Sequence, residues 1–224
     1  MIELKDCWMH DSCKNKCDNN FCIKLFKLDY LFNQALITPS QRKHINLRVD
    51  SDGTDLEVFK TLKNIEINID KFVLDGKNLY IHSEQSGNGK SAWSLRLIQA
   101  YFNKIWQTSD LKCRALFINV PRFLLTLKDN ISHENDYINH IKQNVLNADI
   151  VVWDEVGVKS LTEYEHENLL SLINARIDDN KSNIYTSNLN PEELKDKVGL
   201  RLYSRIVNNS INLEFHGADK RGVI

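Results

Sequence analysis

The sequence predicts an α/β fold with a parallel sheet covered on both faces. Short apolar runs of strand length recur along the chain, and segments of helical periodicity separate them. A length of 224 residues with 42% hydrophobic side chains is enough to bury a core and excludes global disorder. No repeat of solenoid period is present, which excludes a stacked-repeat architecture.

Each element follows from local pattern. Residues 7–32 form a cysteine- and aromatic-rich segment with Trp8, Phe21, Phe26, Tyr30 and Phe32. Thr38-Pro39-Ser40-Gln41 reads as an N-cap, a proline at the first helical position and the reach-back Gln of a capping box. The polar stretch 46–55 is the best linker, so an N-terminal module is expected over 1–45 and the α/β domain over 56–224. Leu56, Phe59 and Leu62 have helical spacing. Asn78–Ser83 is a strand, and Ala92–Trp106 a helix with Leu95, Ile98, Phe102 and Ile105 on one face. Ala115–Val120 is a second strand, stopped by Pro121, and the polar run Asp129–Asp136 reads as a loop. Ile138, Ile141 and Val145 mark a helix, and Asp149–Trp153 a third strand. Thr162 and Glu165 have capping-box spacing at the start of a helix that runs to Ile177. Ser182–Thr186 is a fourth strand. Asn190-Pro191-Glu192-Glu193 opens another helix, succeeded by a short helix over Leu200–Val207 and a last strand over Ile211–Phe215.

The chemistry is carried by Ser86-Gly87-Asn88-Gly89-Lys90-Ser91, between the first strand and the first long helix. A glycine-rich turn opening a helix aims backbone N–H groups at an anion, and the helix dipole adds positive potential. Lys90 would reach the β- and γ-phosphates and Ser91 would ligate Mg²⁺. Glu84 stands where the phosphate-loop pattern has its first glycine. The third strand ends in Asp154-Glu155, an acid pair suited to holding Mg²⁺ through water at Asp154 and to polarising an attacking water at Glu155. These two motifs together predict a Mg-ATP site at the carboxyl ends of parallel strands. Asn188, after the fourth strand, is placed to orient the water or sense the γ-phosphate. Arg201 and Arg205 share one helix face, and Arg205 is the candidate to reach a neighbouring subunit's γ-phosphate.

These pieces resemble the AAA+ ATPases, and more narrowly the DnaC/DnaI-type replicative helicase loaders of bacteria and phages. The resemblance rests on Gly87–Ser91, Val152–Glu155, Tyr185–Leu189 and Gly199–Ile206, and spans about residues 56–224. It implies a five-stranded sheet of order 5-1-4-3-2 and an arginine finger at Arg205, with Gln85 and Ser86 joining the phosphate loop. Arg221 falls where the family has a second sensor arginine. Leu200 stands where the loaders often have Glu. By resemblance the activity is slow ATP hydrolysis coupled to loading a replicative helicase onto single-stranded DNA. The implied partners are the helicase, further copies of the chain, and possible direct contact with the single strand. A transposition-helper ATPase and a non-catalytic ATP-binding adaptor are the other readings.

Cys7, Cys13, Cys17 and Cys22 fall within one short segment, while Cys113 is isolated and reads as core. Four thiols so close in a reducing compartment favour a structural zinc site over disulfides, and His10 could replace one of them. DnaI-type loaders carry such a zinc module to engage the helicase. The net charge of −1 gives no global nucleic-acid signal. The absence of a signal peptide or membrane-length apolar run predicts a cytoplasmic protein without a membrane partner.

Overall fold

The computed structural model describes residues 22–42, 47, 49, 53–110, 112–132 and 136–219. Five strands form one parallel sheet: β1 (Asn78–His82), β2 (Ala115–Asn119), β3 (Ile150–Asp154), β4 (Ser182–Ser187) and β5 (Ile211–Glu214). Their spatial order is β2-β3-β4-β1-β5, which read from the other edge is the expected 5-1-4-3-2.

The helices are α1 (Ile23–Gln34), α2 (Leu56–Ile67), α3 (Ile69–Leu74), α4 (Lys90–Ile105), α5 (Val120–Ser132), α6 (Asp136–Asn147), α7 (Glu163–Asp178), α8 (Pro191–Val198) and α9 (Leu200–Ile206). Successive strand residues point to opposite faces, so each central strand feeds two cores. Ile150 and Val152 join the core under α1 to α4, whereas Val151 and Trp153 join the core under α5 to α9. Burial on both faces is why β2 and β3 read as nearly unbroken apolar runs.

The capping signals hold. Thr162 and Glu165 form a reciprocal capping box on α7, and Asn190 and Glu193 another on α8 with Pro191 in its first turn. Gln41 Oε1 accepts the Thr38 N–H at 2.9 Å, although the segment opened there is a single 3-10 turn, Pro39–Arg42, rather than an α-helix. Two expectations are corrected. Pro121 does not stop a strand. It occupies the first turn of α5, where its missing N–H has no intrahelical role, so β2 ends at Asn119. The run Asp129–Asp136 is not wholly a loop, because α5 continues to Ser132 and α6 begins at Asp136.

Helix α1, after Cys22, joins the core on one face of the sheet. Leu28, Leu31, Phe32, Ala35 and Ile37 are buried with Phe102 and Phe117, and Phe32 meets Phe102 edge-to-face at 5.0 Å. Among the described residues, α1 therefore shares a core with α4 and β2. The end of the expected linker is tied down as well. Asp55 accepts the backbone N–H groups of His216 and Gly217 at 2.8 and 2.9 Å, fixing the chain beyond β5.

Candidate functional site

The strand tips lie level at one rim of the sheet. His82 of β1 is opposite Ser187 of β4, and Asn119 of β2 is opposite Asp154 of β3. The loop 83–89 rises from β1 and enters α4 at Lys90. Gly87 and Gly89 have φ of 78° and 106°, a region that side chains disfavour. A Cβ at Gly87 would also overlap the Asp219 carboxyl group, whose three outer atoms all lie within 2.6 Å of that point. Glu84 has no positive φ and its side chain is exposed, so the backbone at this position does not require glycine.

Internal hydrogen bonds shape the loop. Ser83 Oγ accepts from the Gln85 N–H at 3.1 Å and is bonded by Asn88 Nδ2. Lys90, only 7% exposed, donates from Nζ to the Gln85 carbonyl at 2.8 Å and to Asn88 Oδ1 at 3.2 Å. Asn88 thus aims Lys90 from within the loop. Gly89, as N-cap, offers no side-chain acceptor to the first turn of α4, leaving its N–H groups for an anion.

The acids meet this loop from β3. Ser91 Oγ donates to Asp154 Oδ1 at 2.7 Å, and Thr186 Oγ1 donates to the same oxygen at 2.6 Å. Burial raises the Asp154 pKa above the usual carboxylate value, and the hydrogen bonds from Thr186 and Ser91 oppose that rise. The next residue turns outward. Glu155 has φ of 64°, and its Oε2 accepts from Asn119 Nδ2 at 2.8 Å. A cavity of about 270 Å³ lies between these parts, lined by Gly87, Lys90, Ser91, Glu155, Thr186 and Asn188 among others. Its residues fit a magnesium-bound polyphosphate: an N–H cradle with a buried lysine, beside a hydroxyl and a carboxylate that are hard oxygen donors.

Of the expected residues, Gly87 through Ser91, Asp154, Glu155 and Asn188 therefore come together. Gln85 contributes its carbonyl to Lys90, and the Ser86 side chain is exposed. Arg205 does not line this cavity. It is exposed on α9 and donates to Asn174 Oδ1 at 2.6 Å, while Arg201 pairs with Glu167 at 3.8 Å. Arg221 lies outside the described residues, as do Cys7, His10, Cys13 and Cys17. Cys22 is described, and its Sγ caps α1 by accepting the Leu25 N–H at 3.5 Å. Among the described residues no group of three or more His, Cys, Asp or Glu could hold a metal ion. Cys113 is buried, as expected of core. Sequence reading missed Asn119, Thr186 and Asp219. Their partners are distant in sequence, and only the sheet and the chain after β5 bring them in.

The profile of the bacterial DnaA ATPase domain matches residues 61–211, well over half of the chain. The chain belongs to this AAA+ family. The replicative helicase loader DnaC of Escherichia coli K12 is 24% identical to this AAA+ chain over 199 residues, covering 86% of the chain and 75% of DnaC. In structure the AAA+ chain is similar to a DnaC helicase loader, with TM-score 0.60 and 19% identity over 83% of this chain and 98% of that one. It is also similar to AMPPCP-bound DnaA from Aquifex aeolicus, with TM-score 0.56 and 20% identity over 80% of this chain and 50% of that one. Among the described residues, no helix of the AAA+ chain is long and apolar enough to cross a membrane.

Proposed function

We propose that this chain is a Mg-ATP-dependent loader that places a replicative helicase on single-stranded DNA. Lys90 and Ser91 line one cavity, and Asp154 is bonded to Ser91 beside it; this arrangement carries the nucleotide half of this reading. The likeness to a replicative helicase loader supports the other half.

Residues Gln85 to Ser91 cradle the phosphates, with Lys90 turning its ammonium from Gln85 and Asn88 toward the β- and γ-oxygens. Ser91 and Asp154 would hold Mg²⁺, which would supply charge neutralisation on the transferring phosphoryl group. Asn119 binds Glu155 Oε2, which leaves Oε1 to take the proton of the attacking water. Asn188 faces the same cavity and orients that water. Within one subunit the cavity has no arginine lining it among the described residues. Arg205, exposed on α9, acts on the site of an adjacent copy, and Arg221 completes the γ-phosphate contacts.

The test is complementation between two inactive proteins. Arg205→Ala is expected to bind ATP yet lose hydrolysis by a factor on the order of 10³. Mixed with Lys90→Ala protein, it should regain activity, because each variant supplies the half the other lacks. Mixtures as inactive as their components, with specific activity flat against protein concentration, would instead favour an adaptor that binds ATP as a monomer.

The four cysteines between residues 7 and 22 support one structural zinc per chain, in a module that engages the helicase. Metal analysis of purified protein should return about one zinc per chain. Substoichiometric zinc with four reactive thiols would sink this part.

A further inference from the structure

The tip of β4 holds both acids, and it does so through hydroxyl groups. Thr186 is 1% exposed. Its Oγ1 donates to Asp154 Oδ1 at 2.6 Å and accepts the Glu155 N–H at 3.0 Å. The Thr186 carbonyl accepts the Val156 N–H at 2.9 Å. Ser187, also buried, donates from Oγ to the Val156 carbonyl at 2.7 Å and accepts the Leu189 N–H at 3.1 Å. Two neighbouring residues on β4 thus grip three consecutive residues leaving β3.

That grip acts on an unfavourable turn. Glu155 adopts a left-handed φ of 64°, which its Cβ opposes. The turn sends Asp154 inward to Ser91 and Glu155 outward to Asn119. Threonine suits the position twice over: its branched Cβ favours the strand, and its hydroxyl donates to one acid while accepting from the backbone of the other.

We infer that Thr186 is a positioning residue that sets the metal-holding and proton-accepting acids in their separate places. This rests on the nucleotide reading above. Ser91 and Thr186 donate to the same Asp154 oxygen. When Ser91 turns to a metal ion, Thr186 remains the donor that keeps Asp154 aimed. Thr186 acts through both acids and on neither the nucleotide nor the metal.

Thr186→Val removes the hydroxyl and keeps the shape. We expect it to melt within a few degrees of wild type and to bind a fluorescent ATP analogue normally in EDTA. The Mg²⁺ concentration that half-saturates its metal-dependent binding should rise about 10- to 100-fold, and the hydrolysis rate should fall by a similar factor. Thr186→Ser should restore both. Should the valine variant not fold, Thr186→Ala removes the same hydroxyl without inserting a methyl group and carries the same expectation. A hydroxyl-free variant with wild-type Mg²⁺ half-saturation, or a serine variant that restores nothing, overturns the role of Thr186. A wild-type protein that binds no nucleotide overturns instead the reading beneath it.

Discussion

At the amino-terminal rim of the sheet Arg176 is fully buried, and at the carboxyl-terminal rim Lys90 and Asp154 are nearly as deep. The two rims hold their charges differently. Arg176 donates to Asn183 Oδ1 at 2.7 Å, to the Ala148 carbonyl at 2.8 Å, and to the carbonyls of Val145 and Ser182. Asn183 is itself fixed by Asn78 and by the Trp153 indole. Burial draws Arg176 down to about 10, still protonated at neutral pH. Its partners are mostly backbone carbonyls that cannot turn away, and they close the end of the sheet where β3, β4, α6 and α7 meet. At the other rim the partners are hydroxyls, a side-chain amide and a loop carbonyl, and they border an open cavity. His82 Nδ1, also buried there, has no hydrogen-bond partner among the described residues. Depth of burial does not distinguish a functional charge from a structural one. The distinction is whether its partners can let go.

Substitution should separate the rims. Arg176→Leu takes a donor from four acceptors at once, of which Asn183 Oδ1 alone keeps another side-chain donor, the Trp153 indole, so a loss of about 3–5 kcal/mol is expected, out of the roughly 5–15 kcal/mol typical of a domain. Urea denaturation measures this, and a loss below about 1 kcal/mol would mean that the network is ornamental. Glu155→Gln should leave melting unchanged and still bind ATP, while hydrolysis falls by a factor on the order of 10²–10³, because an amide cannot accept the proton. A normal steady-state rate would remove the base from Glu155. The smallest effect is expected at Asp219, whose carboxyl group lies against Gly87. Asp219→Asn deletes a negative charge beside the phosphate loop and should tighten ATP binding about two- to fivefold at low salt. Unchanged affinity in an isothermal titration would show that this carboxylate does not affect the loop.

How much of this was legible depended on whether the partners are neighbours in sequence. Strands β2 and β3 were readable because burial on both faces makes them apolar up to their tips. The phosphate loop and the acid pair were readable because each is a run of adjacent residues whose chemistry is local. The sheet order came from the family resemblance, and it put Asn188 beside Asp154. Helix α5 was obscured by Pro121, which the pattern reads as a stop although a first turn accommodates it. Helix α1 was masked by the cysteines before it, although Leu25, Leu28, Leu31 and Phe32 have helical spacing and are buried. Asn119 and Thr186 carry no motif of their own. Each meets its acid more than 30 positions away in sequence, and only the pairing of β2, β3 and β4 makes them neighbours.

Lys90 tests most directly whether the carboxyl-terminal rim is a binding site rather than a second structural brace. Thermal melts of wild type and Lys90→Ala should coincide without nucleotide, since Gln85 and Asn88, which hold its ammonium, belong to the same loop. With Mg-ATP at about a hundred times its dissociation constant, wild type should gain about 2.7 kcal/mol, and the variant should gain almost nothing. A variant that melts far below wild type without nucleotide, or one that gains as much from Mg-ATP as wild type, would contradict the assignment.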